Sequence, residues 1–177
     1  MLDGAMQLSA AEVARVRDLL ELEEVRDCLR RYARGLDRHD VELNASAFHE
    51  DAFVHDPAFS SVRAFATWAN EHHAGRWGAH QHFQANETIA LAGDGVAHAE
   101  TYCLLLGRRE GGDVELIAAR YVDRLERRAG RWAIAERTVV MEATGVVHGG
   151  GAGQQATLAL YEEGARDRSD PSYRGLR

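Results

Sequence analysis

The chain is poor in cysteine, in basic clusters and in long apolar runs, and each shortage excludes a class of protein. Its two cysteines, Cys28 and Cys103, cannot frame a disulfide-stapled scaffold and do not form a CxxC metal motif. Both fall in stretches that read as regular structure, where a free thiol behaves as a small buried hydrophobe. Basic residues number 21 against 28 acidic ones, for a formal net charge of −7. Nucleic acid is therefore not expected as a partner, since its backbone is held by clustered cations. No apolar run approaches the ~20 residues needed to cross a bilayer, so no membrane partner is expected either. The opening MLDGAMQLSAAEVARV has neither the basic start nor the unbroken apolar core of a secretory leader, which points to the cytoplasm.

What is present is an ordinary globular composition, 45% hydrophobic and 28% charged, over 177 residues, enough for one domain with its own core. Ser9-Ala-Ala-Glu12 is a capping box, and Val13, Val16, Leu19, Leu20, Leu22, Val25, Leu29 and Tyr32 follow at helical spacing. This predicts a long helix from Ser9 to Asp37, with room for one break. Asp40 caps a second, short helix over Val41 to Phe48. Ala52 to His55 reads as a short strand, Asp56-Pro57 as a turn, and Ser61 as the cap of a third helix reaching Ala74.

After Gly78 the hydrophobic period changes from 3.6 to 2. Four extended segments follow, Ala79 to Leu91, Val96 to Arg108, Val114 to Arg127 and Trp132 to Glu142, joined by Gly-rich hairpin turns. Three helices followed by such a meander predict an α+β fold. In it a curved antiparallel sheet wraps around three N-terminal helices and leaves a deep pocket. Residues 1–8 read as a tail and 9–145 as the domain. Residues 146–177 read as a Gly-rich linker through Gly149, Gly150, Gly151 and Gly153, a short helix over Gln154 to Ala165, and a charged tail that is either disordered or laid over another surface.

Alternation along Ala79 to Leu91 puts His80, His82, Gln84, Asn86 and Thr88 on one face, and Phe83, Ala85, Ile89 and Leu91 on the other. A polar row of this kind either meets solvent, as in any half-exposed antiparallel strand, or lines a concavity. In the second case His82 is a candidate general base, because imidazole titrates near pH 6.5 and needs only a partner to fix its tautomer. Asp37, at the end of the long helix, is a candidate for that partner, although an Asp following Gly-Leu also suits a turn or cap. Tyr32 sits five residues before it.

The succession RYARGLDRHD, FHEDAFVHDP, HQHFQAN, GDGVAHAETYCLL and ARYVDRLERRAGRWAI resembles the SnoaL-like branch of the nuclear-transport-factor-2-like superfamily over Leu19 to Thr144. The resemblance implies a cone-shaped sheet with three helices. It also implies a function among scytalone dehydratase, bile acid 7α-dehydratase, hexachlorocyclohexane dehydrochlorinase, ketosteroid isomerase, polyketide cyclases or members without assigned activity. Asp37 in Gly-Leu-Asp and His82 in His-Phe-Gln-Ala-Asn match the positions at which the dehydratase-like members carry an Asp–His pair, and Tyr32 resembles their hydrogen-bonding tyrosine. Asn86, Tyr102, Arg120 and, on the third helix, Trp68 are the accompanying candidates for substrate contact, with Tyr121 also at a family position.

Carried through, the resemblance implies a cofactor-independent elimination on a small hydrophobic alicyclic, aromatic or steroid-like molecule. The alternatives are an isomerase or cyclase using the same proton abstraction, and a module that binds without turnover. It also implies a homo-oligomer, dimer or trimer, built on the convex face. A metal reading, with His72-His73 or His80-x-His82 joined by His55 or Asp51, is the weaker one, and no metal ligand is assigned. His72 and His73 suit the exposed end of the third helix, and His98 suits a structural role. Arg124, Arg127, Arg128 and Arg131 bracket a hairpin with Glu126 and suit a solvated edge, while Asp51, Asp56, Glu100 and Asp123 suit turns or cross-strand pairs.

Overall fold

In the computed structural model, residues 8–54, 59–149, 161–162 and 164–174 are described. Helix α1 runs unbroken over Ala10–Asp37 behind the expected box, with the Ser9 hydroxyl accepting from the Glu12 N–H and the Glu12 carboxylate from the Ser9 N–H. Its first three turns are exposed. Burial begins at Val25 and continues through Cys28, Leu29, Tyr32, Ala33 and Leu36, a stripe at i, i+3 and i+4. Asp40 caps α2, Val41–Ala45, which stops short of Phe48 because that residue opens strand β1, Phe48–Val54. The strand thus begins four residues before the sequence suggests. Ser61 caps α3, Val62–Arg76.

The four long strands are β2 Ala79–Gly93, β3 Val96–Arg108, β4 Val114–Arg128 and β5 Arg131–Val147. The last passes through Gly145, where the sequence suggests that a linker begins. The order is β1-β5-β4-β3-β2, antiparallel throughout except that β1 lies parallel to β5. The sheet is therefore mixed rather than purely antiparallel, since β1 returns to it by way of α3 and the other strands. The fold is α+β, N-terminal helices on an open five-stranded sheet. Because β4 and β5 are interior strands, the arginines from Arg124 to Arg131 mark a hairpin tip, not a sheet edge. They are spent on Glu126, Asp51, Glu21 and the Ser46 carbonyl.

Val25, Tyr32, Leu36, Phe48, Phe65, Tyr121, Leu125, Trp132 and Ile134 join α1, β1, α3 and the inner face of the sheet into one core. Both cysteines are free and buried, and the Cys28 thiol donates to the Ala47 carbonyl at 2.9 Å. Two glycines set close approaches. A Cβ at Gly35 would stand 2.4 Å from the Asn44 nitrogen, and one at Gly107 2.3 Å from the Trp77 indole. The first seals the α1–α2 corner directly behind Asp37.

Residues 150–160 and 163, most of the suggested helix over Gln154 to Ala165, lie outside the described residues, as do His55 and Asp56. The described part of the tail lies over the α1–α2 corner and ends in a 3₁₀ turn, Pro171–Arg174. Asp170 is buried 3.7 Å from Arg38, the Tyr173 hydroxyl donates to Asp40 at 2.9 Å, and Arg34 reaches Ser172.

Candidate functional site

Asp37 is the last residue of α1, and the helix end points its carboxylate at the first residues of β2. The His82 backbone N–H meets the two carboxylate oxygens at 3.0 and 3.1 Å, and His82 Nδ1 donates to Oδ1 at 2.6 Å. A carboxylate at that distance accepts, so the proton sits on Nδ1 and the lone pair on Nε2, which makes no hydrogen bond among the described residues. His80, two residues earlier on the same face, donates from Nε2 to the Leu36 carbonyl at 3.1 Å and lies 3.7 Å from Asp37 Oδ1.

Two more imidazoles close around this pair. His73, which the sequence suggests to be exposed with His72, is half-buried and stacks on His82 with ring centroids 5.4 Å apart. It also meets His80 edge-on at 5.0 Å. His39 meets His80 from the other side at 5.3 Å. Burial, reinforced by the neighbouring imidazoles, pushes His73 down to about 2. Burial also takes His80 down to about 4 against the opposing pull of Asp37. Neither ring therefore competes for a proton near neutral pH, and the ring that carries a carboxylate on its far side is His82.

The polar row does not run the length of β2. One extra residue between Ala85 and Thr88, where Asn86 takes φ 51°, forms a bulge that inverts the alternation. His80, His82 and Gln84 face inward before it, and Ile89 and Leu91 after it, while Phe83, Ala85, Asn86 and Thr88 are exposed. The structure thus leaves Asn86 outside the row that holds His82. Tyr102 and Arg120 are paired across β3 and β4 and also lie on the outer face. Tyr102 is half-exposed, and Arg120 is bound to Glu100 and Glu142, both at 2.6 Å. The pleat thus sends both side chains away from the concavity that holds His82. Trp68 is half-exposed on α3, stacked with His72 and tilted against Phe59. His98 is exposed on β3.

Tyr32 lies inside. It is buried edge-on to Phe48 and Tyr121, and burial raises its hydroxyl so that it keeps its proton. Above it sits a residue absent from the sequence reading, Arg137, whose guanidinium carbon is 4.0 Å from the Tyr32 ring and 4.3 Å from that of Tyr121. Burial would lower its pKa, but the charge of Asp123 and two hydrogen bonds at 2.6 and 2.7 Å outweigh that and raise it. Asp123 is the cross-strand partner that the sequence suggests. Arg137 NH1, Thr101 Oγ1 and Gln84 Nε2 are buried on the inner face without a partner among the described residues. The inner surface thus combines apolar walls with a few uncommitted polar atoms, which suits a small-molecule site.

Among the described residues one cluster has metal-ligand types at ligand spacing, namely Asp37, His80 and His82, whose donor atoms lie within 4.8 Å of one another. Asp51, a candidate third ligand by sequence, is exposed on β1 and paired with Arg128. A separate cleft of about 1000 Å³ between α1, α2 and the tail, lined by Arg31, Arg34, Asp40 and Tyr173 among others, holds mutually satisfied ion pairs and does not include Asp37 or His82.

No curated protein matches the chain by sequence. Among solved structures, a type 2 hexachlorocyclohexane dehydrochlorinase, LinA, superposes with a TM-score of 0.68 at 20% identity over 78% of this chain and 99% of its own. The type 3 enzyme of Novosphingobium barchaimii gives 0.67 at 21% over 77% and 99%. A candidate scytalone dehydratase from Novosphingobium aromaticivorans gives 0.64 at 21% over 76% and 93%. At such identities the likeness establishes the fold. The profile of the SnoaL-like domain matches residues 17–138, from the exposed turns of α1 to the strand that carries Arg137, and the chain therefore belongs to the SnoaL-like domain family.

Proposed function

We propose that the chain is a cofactor-independent lyase that eliminates water, or a comparable leaving group, from a small hydrophobic alicyclic, aromatic or steroid-like molecule. The observation that carries this reading is the 2.6 Å bond from His82 Nδ1 to Asp37, which leaves Nε2 as a free base on an inward-facing strand position. His82 Nε2 takes the proton from carbon beside an activating group. The C–H pair becomes the new double bond, and the bond to the leaving oxygen breaks. Asp37 stabilises the imidazolium through Nδ1. Tyr32, which keeps its proton, is the hydrogen-bond donor assigned to the departing hydroxide, and the Arg137 guanidinium lies 4.0 Å from its ring. The likeness in fold to a hexachlorocyclohexane dehydrochlorinase and a candidate scytalone dehydratase supports the elimination class.

A binding module without turnover is the competing outcome, and His82→Ala separates the two. The test first finds a ligand by thermal shift against terpenoid, steroid and aromatic alcohol panels, then measures product and affinity. Loss of turnover with affinity held within about tenfold supports the lyase. A ligand that binds well and is never converted by the intact protein removes it. The same reading expects a homo-oligomer, supported by the exposed Phe83, Tyr102, Leu104 and Val122 on the outer face.

A further inference from the structure

We infer that Asp37, His80 and His82 also form a binding site for a borderline divalent cation of the Zn²⁺ class, and that an ion there switches the base off. Asp37 Oδ1 stands 2.6 Å from His82 Nδ1 and 3.7 Å from His80 Nε2, and all three donor atoms fall within 4.8 Å. Ligands about 2.1 Å from a tetrahedral ion are about 3.4 Å apart, so the observed spacings bracket what such an ion requires. The frame is already built. The two histidines occupy alternate positions of one strand face, the His82 backbone N–H holds the carboxylate in place, and the side chains of His80 and His82 are almost wholly buried. Entry of the ion needs the His82–Asp37 pair, at 2.6 Å, to open by roughly an ångström and the widest spacing, within 4.8 Å, to close toward about 3.4 Å.

The donor set selects the ion. Two imidazoles and one carboxylate suit zinc and its first-row neighbours, whereas calcium and magnesium take six or more oxygens. Three protein ligands leave the fourth position to water.

Binding rearranges protons without consuming any. The Nδ1 proton of His82 moves to Nε2, and the Nε2 proton of His80, now given to the Leu36 carbonyl, moves to Nδ1, a buried atom with no partner among the described residues. His82 Nε2 then carries a hydrogen and cannot accept one from substrate. The ion is thus an inhibitor of the proposed proton abstraction, not its cofactor. The site itself stands independently of that reaction.

The test uses the full chain, stripped with a chelator and titrated near neutral pH with ZnCl₂ by calorimetry and with Co²⁺ by visible absorption. One ion per chain and the strong d–d bands of a four-coordinate Co²⁺ site are expected. His80→Gln, which keeps an amide N–H for Leu36, and Asp37→Asn should each weaken binding roughly 100-fold or more. Their metal-free melting temperatures check that they fold. His72→Ala and His148→Ala, at exposed imidazoles, should leave the isotherm unchanged. Absence of binding at millimolar zinc overturns the site, and so does binding that survives both His80→Gln and Asp37→Asn. Because the readout needs no substrate, a protein that binds zinc here but never turns over sinks the lyase and spares the site. Turnover that continues at saturating zinc spares the lyase and overturns the switch, while the isotherm alone decides the site.

Discussion

Removing Asp123 should destabilise this protein more than removing almost any other surface-class residue, because of what it leaves behind. Asp123 and Arg137 are both fully buried and joined by two hydrogen bonds, Nε to Oδ1 at 2.7 Å and NH2 to Oδ2 at 2.6 Å. The guanidinium is sealed from solvent, and its third nitrogen has no partner among the described residues. Asp123→Asn keeps the shape and deletes the counter-charge, so a buried cation is left with an amide oxygen and the faces of Tyr32, Tyr121 and Phe48 in place of a carboxylate. Breaking a buried pair from one side costs about 3–5 kcal/mol. For a domain of this size, at about 2–4 °C per kcal/mol, the melting temperature should fall by roughly 10 °C. Arg137→Met should cost a similar amount by stranding the carboxylate. The double variant Asp123→Leu/Arg137→Met removes both charges and fills the space with apolar atoms, so it should recover to within about 1–2 kcal/mol of the parent. Urea denaturation of the parent, Asp123→Leu, Arg137→Met and the double variant closes the cycle and yields the coupling energy, expected at about 3 kcal/mol or more. If Asp123→Asn costs under about 1 kcal/mol, or if the two single effects simply add, the pair is hydrated and the account of the interior given above is wrong.

Two further outcomes test the corner that carries the site. His73 and His80 have folded pKa values, about 2 and about 4, below the ordinary 6.5, so unfolded chains bind protons below pH 6.5 that folded chains refuse. Their contribution is therefore complete above about pH 6.5 and is lost as pH falls toward 4 and below, by up to about 1.4 kcal/mol per pH unit per ring. Denaturation midpoints between neutral pH and pH 5 should fall less steeply in His73→Asn/His80→Gln, and an unchanged slope would show that the rings are hydrated. Gly35→Ala should cost about 1–3 kcal/mol, since the new Cβ meets the Asn44 backbone at 2.4 Å and α2 must move. As Asp37 lies two residues on, the ¹⁵N shift of His82 Nδ1 should move with it. A stable variant with an unperturbed His82 would show that the corner does not position the site.

Much of the fold was legible because its determinants are local. Ser9, Asp40 and Ser61 carry cap chemistry that satisfies orphan N–H groups whatever the rest of the chain does. The Gly-containing turns left the ends of β3 where the period indicates them. The site was legible in part. His80 and His82 share a face because residues two apart on any strand do, and Asp37 ends α1 because the polar stretch after it turns the chain, with Arg38 as cap and His39 at φ 51°. That Asp37 reaches His82, and that His73 turns in to cover it, depends on how α1 and α3 pack on β2, distances that no local pattern contains.

Two bulges account for the larger errors. Alternation assumes an unbroken pleat, and the extra residue at Asn86 reverses it, so Ile89 and Leu91 turn inward where Asn86 and Thr88 were expected. Counting back from the β4–β5 turn, where Arg128 faces Arg131, places Asp123 opposite Glu136. The register shift between Arg124 and Leu125 places it opposite Arg137 instead, and so creates the buried pair that the sequence did not reveal. Caps, turns, element types and the polar row at His80 and His82 were determined by the chain alone, since each follows from a few neighbouring residues. The parity of each strand past its bulge, the insertion of β1 beside β5, and the meeting of Asp37 with His80 and His82 were decided only in three dimensions, where one inserted residue or one helix contact sets which side of the sheet a side chain occupies.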